Sequence, residues 1–581
     1  MVHRNDAGAA LAGLFAALGS IVFSPGLLAQ SGGDGCVVSE VQPESIDLDR
    51  PRDQLARQSD LVIPEGARIG RIRIVRRPIF DTSDPEQDNA LYRTLNALYR
   101  TLNALNTPTW HSALRAQLVF DPGDPYAPGM LAESERILRQ REYLTAAWVG
   151  VTRVCGDEVE VSVLARDTWT LLPSFGASRS GGENTTNAGL SDPNFLGSGK
   201  SLGISYTSDP DRTETSVDFD DPNVLGSHWQ TGFSYDERSD GRGRSAYLER
   251  PFYSERAGWR AGLRGVDDVR EESRFVGAEA IADYRRSHEY ASVDWGWRLA
   301  ERGDRQLRLL GGYRYEAFEF ERLPDEPALD VLPRDRTLSY PWIGFDYRQN
   351  RFREMVNLTR LQRVEDVRDG FVWRTELGYS SPGLGATEDR VVLNTEFSDA
   401  LLASDTRYAR YTLSQSGTYR LDESRVENLQ GTFSLDYFHG GSVRWNSWYT
   451  NLSFTAARNL TADQQLLIGG DNGLRGYPSE YQQGNRRALW TLERRYFPDW
   501  HPFSLFRMGG VLFTDVGRAW FDDGRHNGPD DGVLKDVGFG LRLASSRIEV
   551  QRMLHLDVAF PLDGDDSIDQ VQVLLRGRTR F

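Results

Sequence analysis

Beyond Trp169 the chain alternates apolar and polar residues with a period of two, segment after segment, as far as its last residue. Leu202, Ile204 and Tyr206 alternate with Ser201, Gly203 and Ser205, and Trp229, Phe233 and Tyr235 with Gln230, Gly232 and Ser234. Val537, Phe539, Leu541 and Leu543 alternate with Gly538, Gly540 and Arg542. A strand sends successive side chains to opposite faces, so each segment has one greasy side and one small or polar side. Helical periods are missing from this stretch, and the fold class is mainly β. In a soluble sandwich the apolar side meets a core; in a membrane barrel it meets lipid. Alternation alone does not separate the two.

Three further features do. The stretches Ser191–Tyr206 (SDPNFLGSGKSLGISY), Asp220–Tyr235 (DDPNVLGSHWQTGFSY) and Glu249–Arg264 echo one another, as a recurring hairpin would. Toward the end of the chain the connections alternate in length: Phe497–Ser504 and Ala544–Glu549 are short, Phe521–Leu534 and Leu562–Asp569 are longer and acidic or glycine-rich. A barrel has short turns on one side and long loops on the other. Finally, Val571, Val573, Leu575 and Phe581 share one parity of a last strand, while Gln572, Arg576, Arg578 and Arg580 share the other.

The N-terminus reads as an export signal over residues 1–29: His3 and Arg4, an apolar run Ala7–Phe23, and a cleavage site at Leu27-Leu28-Ala29. That run is short for a spanning helix of ~20 residues. Residues 30–66 are polar and aperiodic, a flexible lead-in. Cys36 and Cys155 are the two cysteines; in an oxidising compartment both a disulfide and two separate thiols stay open, because sequence does not set their separation. A net charge of −16 disfavours a nucleic-acid partner, which needs a basic face.

Residues 67–166 form a separate small unit. Ile72 and Ile74 alternate with Arg71 and Arg73, as in a half-buried strand. The tandem repeat ALYRTLNALYRTLNAL, Ala90–Leu105, sets Leu91, Leu95, Leu98, Leu102 and Leu105 on one helical stripe, suited to packing on a sheet. A second helix runs from Pro128 to Arg141, and Trp148–Cys155 and Glu158–Leu164 make a hairpin across Gly156-Asp157. The order β-α-α-β-β, with Gly123–Leu144 (GDPYAPGMLAESERILRQREYL), resembles a POTRA domain.

One loop stands apart. IGGDNGLRGYPSE, Ile468–Glu480, carries four glycines and a permanent cation between two strand-like segments. Its Leu474-Arg475-Gly476-Tyr477 is similar to the loop motif of the BamA/TamA outer-membrane assembly superfamily, which includes FhaC-like two-partner secretion transporters. Phe513-Thr-Asp515-Val-Gly517 is similar to that superfamily's F-x-D-x-G strand motif. The resemblance covers residues 67–581. It implies a 16-stranded antiparallel transmembrane β-barrel over 167–581, preceded by one small α/β POTRA-like domain. The loop, 457–485, would fold into the lumen, with Arg475 against Asp515 on the inner wall. Glu493 is a second candidate partner, although Arg494 blurs the parity of its strand. Phe581, with Leu575 and Val573, would be the C-terminal assembly signal. Five strand-like segments follow the loop, as in the family. Upstream, 171–456 holds more segments than the eleven expected, so some are read as outer-loop hairpins or halves of long strands.

The resemblance further implies a place in the bacterial outer membrane with the N-terminal domain in the periplasm, no enzyme activity and no cofactor. Its partners would be outer-membrane lipid, unfolded outer-membrane or secreted clients, and a periplasmic accessory protein. A two-partner secretion transporter for one dedicated passenger, and a passive pore, are the alternatives. The single POTRA-like domain departs from the five, three or two usual in the family's subgroups. Leu196–Ser201 (LGSGKS) lacks the spacing of a phosphate-binding loop and reads as a hairpin turn; neither a metal-ligand cluster nor a nucleophile elbow is present in the sequence.

Overall fold

The computed structural model describes residues 35–46, 48, 61–80, 90–180, 183–276, 279–324, 332–359, 361, 363–404, 406–440, 446–502, 505–547, 553–565 and 568–578. The expected export signal 1–29 and the terminal Phe581 lie outside them.

Strands that alternate along their length can bury every backbone group only by pairing on both sides, and a sheet with no edge is a barrel. The chain takes that solution. Barrel strands run from β5 (Leu172–Ser180) through β10 (Gly241–Arg250), then β11 (Trp259–Val276), β12 (Glu279–Arg302), β13 (Arg305–Arg322) and β14 (Arg336–Gln349). A side hairpin, β15 (Phe352–Val356) and β16 (Val364–Arg368), interrupts the series. The wall resumes with β17 (Val372–Ser380) through β21 (Asn446–Arg458). After a loop that carries the short pair β22 (Leu466–Ile468) and β23 (Gln482–Gly484), it ends with β24 (Arg486–Tyr496), β25 (Phe506–Trp520), β26 (Leu534–Ser545), β27 (Met553–Pro561) and β28 (Gln572–Arg578). Neighbouring strands are antiparallel, and the barrel closes where β28 meets β5, with Leu575 opposite Arg179.

Twenty strands make this closed sheet, which corrects the sixteen expected. Five follow the loop, as read from the sequence; the surplus lies upstream. Strands β5 to β10 are only eight to ten residues long. Segments that short look like hairpins of an outer loop, yet ~9–11 residues suffice to cross a bilayer. Their ladders continue the wall, with Leu190 opposite Ile204 and Phe219 opposite Phe233.

The outward parity is mainly apolar. Ile204, Phe233, Leu263, Val293, Ile343, Leu377, Leu512 and Phe539 are all exposed. The inward parity carries charge: Arg308, Asp346, Asp515, Asp536 and Arg542 are buried. Greasy outside and polar inside is the inverse of a water-soluble sheet and suits a wall surrounded by lipid.

At the end of the barrel that holds both the start of β5 and the end of β28 sits the small domain. Its sheet has the order β1 (Val37–Val38), β3 (Leu144–Cys155), β4 (Glu158–Asp167), β2 (Arg68–Arg77), with β2 and β4 parallel. Helices α1 (Ala90–Leu105), α2 (His111–Arg115) and α3 (Pro128–Arg139) lie between β2 and β3. Ile69, Leu114, Leu138, Leu144, Val161 and Val163 form the core. Two expectations change here. Residues 35–46 are no loose lead-in: Cys36 is disulfide-bonded to Cys155, β1 pairs with β3, and Ile46 packs beside Trp148 and Leu164. On α1, Tyr99 stacks on Phe80 and Leu102 packs near Trp169 and Leu505, while Leu105 is left exposed. Thus α1 packs where the domain meets the barrel.

The echoed turns also belong to this junction. In both Pro-Asn-x-Leu-Gly turns the leucine is left-handed, Leu196 at φ 53° and Leu225 at φ 54°. Asn194 donates to Thr109 Oγ1 (2.8 Å), and Asn223 Oδ1 accepts from Gln117 of the small domain. Arg139 of α3 holds both Asp366 (2.6 Å) and Glu354 (2.5 Å) of the side hairpin, and Arg547 donates to the Ile79 carbonyl (3.1 Å). The domain is therefore hydrogen-bonded to several separate connections at one mouth of the barrel.

Phe539→Arg, which places a cation on the outward parity of β26, is expected to destabilise the barrel by ~2–4 kcal/mol if the site lies at mid-membrane. Urea unfolding in lipid, followed by electrophoretic mobility of unheated samples, measures it.

Candidate functional site: the arginine loop in the lumen

Residues 459–485 join β21 to β24 and turn back into the lumen, where β22 and β23 pair briefly. Each residue of the Leu-Arg-Gly-Tyr stretch has a distinct task. Leu474 is fully buried beside Ile468, Ala519 and Leu534. Gly476 approaches the wall so closely that a Cβ would stand 2.7 Å from that of Asp536, and its N–H donates to Asp536 Oδ2 (2.9 Å). The Tyr477 hydroxyl donates to the Lys535 carbonyl (2.8 Å) and accepts from the Lys535 N–H (3.0 Å).

Arg475 lies between these anchors. Nε donates to Asp515 Oδ2 (2.7 Å) and Nη2 to Asp515 Oδ1 (2.9 Å), the two-pronged geometry that suits a guanidinium to a carboxylate. Nη1 donates to Glu493 Oε1 (2.9 Å), and Asp557 Oδ2 lies 3.9 Å away. The guanidinium carbon also sits 3.5 Å from the centroid of the Phe513 ring. Burial works against the charged guanidinium, but Asp515 and Glu493 outweigh it and raise the Arg475 pKa further above its ordinary value.

The Phe-x-Asp-x-Gly strand explains itself by the same contacts. Phe513 offers its face to the guanidinium, Asp515 receives the fork, and Gly517 leaves room for Ile468 and Leu474, whose side chains a Cβ there would crowd. Gly538 of β26 makes space in turn for the Phe513 ring.

Residues 370–575 match the Omp85 superfamily domain. The chain carries an Omp85 domain. The match takes in β17 to β27, the loop, and both motifs. A curated relative, the outer membrane transporter CdiB of Dickeya dadantii (strain 3937), is 27% identical over 149 residues, 24% of this chain and 25% of the relative. The alignment thus spans about a quarter of that relative's length. Among solved structures, BamA from Haemophilus ducreyi lacking POTRA domains 1–3 aligns over 88% of this chain and 84% of its own at 14% identity and a TM-score of 0.35. CdiB from Acinetobacter baumannii aligns over 90% and 91% at 11% identity and a TM-score of 0.37. Scores that low establish no shared fold.

Within the Omp85 domain, the structure brings Leu474, Arg475, Gly476 and Tyr477 together with Asp515, Glu493, Phe513 and Gly517. The parity of β24 is settled: Glu493 faces inward and is held by Arg495 (2.8 Å) as well as Arg475, while Arg494 is on the outer face over the Trp448 ring. Val573 is exposed on the lipid side, and Leu575 pairs across the closure. Cys36 and Cys155 are joined, far from the loop in sequence and in a different domain.

Sequence reasoning missed Asp536, Asp557, Arg542 and Arg576. Arg542 Nη1 binds Asp557 Oδ1 (2.5 Å), and Arg576 donates to the Gly470 carbonyl. Counted by strand, the loop is bonded to β24 through Glu493, β25 through Asp515, β26 through Asp536 and Lys535, and β28 through Arg576, with Asp557 of β27 close by, and its first residues reach β11 through Gln465 and β14 through Asp463. The signal was available: Asp536 and Asp557 stand on the inward parity of strands whose outward residues are apolar.

Arg475→Ala should cost ~3–5 kcal/mol, because it strands buried carboxylates. Adding Asp515→Ala should cost less than the sum of the two single losses, since the residues act as a pair. The unfolding midpoints of the four proteins in a double-mutant cycle test this.

Glu480, near the end of the loop, is driven toward its neutral form. Burial, then the charges of Asp471, Glu183 and Asp211, push its carboxyl up to about 7. A folded pKa above the unfolded one means that proton uptake favours the folded loop. This group's contribution is full below the unfolded pKa of ~4.3 and is lost as pH rises through 7. Glu480→Gln should therefore flatten the fall in thermal stability between those two pKa values, and melting curves across that range check it.

Proposed function

We propose that this chain is an outer-membrane pore that assembles or translocates other proteins, with its N-terminal POTRA-like domain in the periplasm and residues 1–29 removed on export. One observation carries the reading. The lumen loop ties the C-terminal strands together up to β28 through Arg475, Gly476, Tyr477 and the Gly470 carbonyl, and its first residues also bond β11 and β14 through Gln465 and Asp463. The closure between β28 and β5, by contrast, is thin. Among the described residues one register pair joins β28 to β5, against seven between β27 and β28.

A stapled slab beside a thin closure is where a barrel can part. An exposed strand edge offers unpaired N–H and C=O groups, and an incoming client strand can satisfy them by adding itself to the sheet. The free energy then comes from the client's own folding. The chain's residues contribute by holding one lip of the opening in register, through Arg475, Gly476, Tyr477 and Arg576, while the short strands β5 to β10 form the other lip. The Omp85 match over 370–575 supports this, since it takes in the loop and all but the last of the stapled strands. Clients would be unfolded outer-membrane or secreted proteins, and the role is not enzymatic.

A second reading is favoured by the local identity to an outer membrane transporter: a translocator dedicated to one secreted passenger.

Depletion followed by outer-membrane and secreted-protein proteomics distinguishes them. The assembly reading predicts a broad loss of barrels, the transporter reading the loss of one secreted protein. An unchanged proteome would leave a passive pore and overturn both.

A further inference from the structure

The inner wall at the mouth that carries the small domain holds a cluster of arginines with too few acids. Arg298 of β12 and Arg308 of β13 stand opposite one another in register, with Arg348 of β14 beside them, Arg368 on the side hairpin, Arg410 of β19 (Arg407–Arg420), and Arg136 on α3. Arg136 and Arg368 share the Phe352 ring, at 3.7 and 4.6 Å from its centroid, and Arg410 donates to the Arg368 carbonyl.

Three carboxylates answer three of these cations: Glu255 pairs with Arg136 (2.6 Å), Glu301 with Arg298 (2.6 Å), and Asp346 with Arg348. Arg308 and Arg368 make no ion pair among the described residues. Arg308 is 4% exposed; it leans on Phe252 at 4.2 Å and donates to Gln306 Oε1, and its Nε has no partner. Arg368 reaches only the Gln349 carbonyl and Asn350 Oδ1. Burial and the repulsion of Arg348, Arg410 and Arg136 pull its pKa down to about 10. Asp346, opposite Arg308 in the ladder, is held by Arg348, and Glu255 by Arg136, so neither Arg308 nor Arg368 has an acid of its own. A guanidinium taken out of water in that state is expensive, and an anion that seats between such groups relieves the desolvation and the repulsion together.

We propose that this cluster binds carboxylate side chains of an acidic peptide segment entering the barrel, with Arg308 and Arg368 as its principal contacts. The arginines stand on the inward parity, with Trp297, Leu299 and Ile343 exposed on the lipid side of the same strands, so a membrane phosphate is on the wrong side of the wall. A polypeptide passing between the small domain and the lumen is on the right side. The inference rests on the translocation or assembly reading for its choice of ligand, though not for the site itself.

The test uses the full chain in lipid nanodiscs and a fluorescein-labelled peptide alternating glutamate and serine, with a glutamine–serine peptide of equal length as control. The glutamate peptide should bind, salt and inorganic phosphate should compete, and Arg308→Met and Arg368→Gln should each weaken it about tenfold or more. Arg302→Gln, an exposed arginine at a turn of the same mouth, should leave binding unchanged. If Arg308→Met fails to fold, Arg368→Gln on the side hairpin decides. Equal binding of the glutamine peptide, wild-type affinity in the folded variants, or arginine-dependent binding of phosphate without the glutamate peptide would each overturn the proposal. Depletion proteomics reads the function separately: if client loss persists while peptide binding fails, only this inference falls.

Discussion

The guanidinium of Arg475 in its ring of carboxylates is the interaction on which the rest of the barrel's architecture depends. A wide cylinder of alternating strands has an obvious weakness, because the side chains that line it do not fill so broad an interior. Folding a loop back inside supplies the missing mass but brings a cation out of water. The cost of that cation is offset only where acids already wait on the wall, and Glu493, Asp515 and Asp557 are set on neighbouring strands to do so. Glycines then determine how close the loop can come: Gly476 against Asp536, Gly517 against Leu474.

The same contacts make the molecule asymmetric. The loop binds the C-terminal strands and is held to the last of them by the Arg576 guanidinium, which donates to the Gly470 carbonyl, whereas the first six strands are short. The ion pairs of Arg475 fall on the C-terminal side of the closure, while Gln465 and Asp463 tie the start of the loop to β11 and β14. At the opposite end of the lumen from the loop's entry, the small domain is pinned by Asn194, Asn223, Arg139 and Arg547, so both mouths carry polar fastenings beside a small apolar cluster each.

Much of this was legible from the residues. Alternation is a local property of each strand, so the β class and the outward faces could be read one segment at a time. Arg475 and Asp515 were legible because a buried cation demands an acid, and two short motifs fixed which. The strand number was not legible, because a stretch of eight residues such as Ser201–Ser208 looks the same in a wall or in a surface hairpin, and only its ladder to Thr213–Asp221 decides. Likewise Cys36 and Ile46 sit in a polar, aperiodic stretch, and their place in the small domain comes from partners more than a hundred residues away for the disulfide and for Trp148. Asp536 was passed over although its parity was readable, since no motif drew attention to it.

The most direct measurement is amide hydrogen exchange of the protein in lipid, comparing the natural chain with Arg475→Ala. The account predicts that protection falls together across Arg486–Tyr496, Phe506–Trp520, Leu534–Ser545, Met553–Pro561 and Gln572–Arg578, while Trp259–Val276 and Arg305–Arg322 stay protected. Unchanged exchange in the C-terminal strands, or an equal loss around the whole barrel, would contradict it.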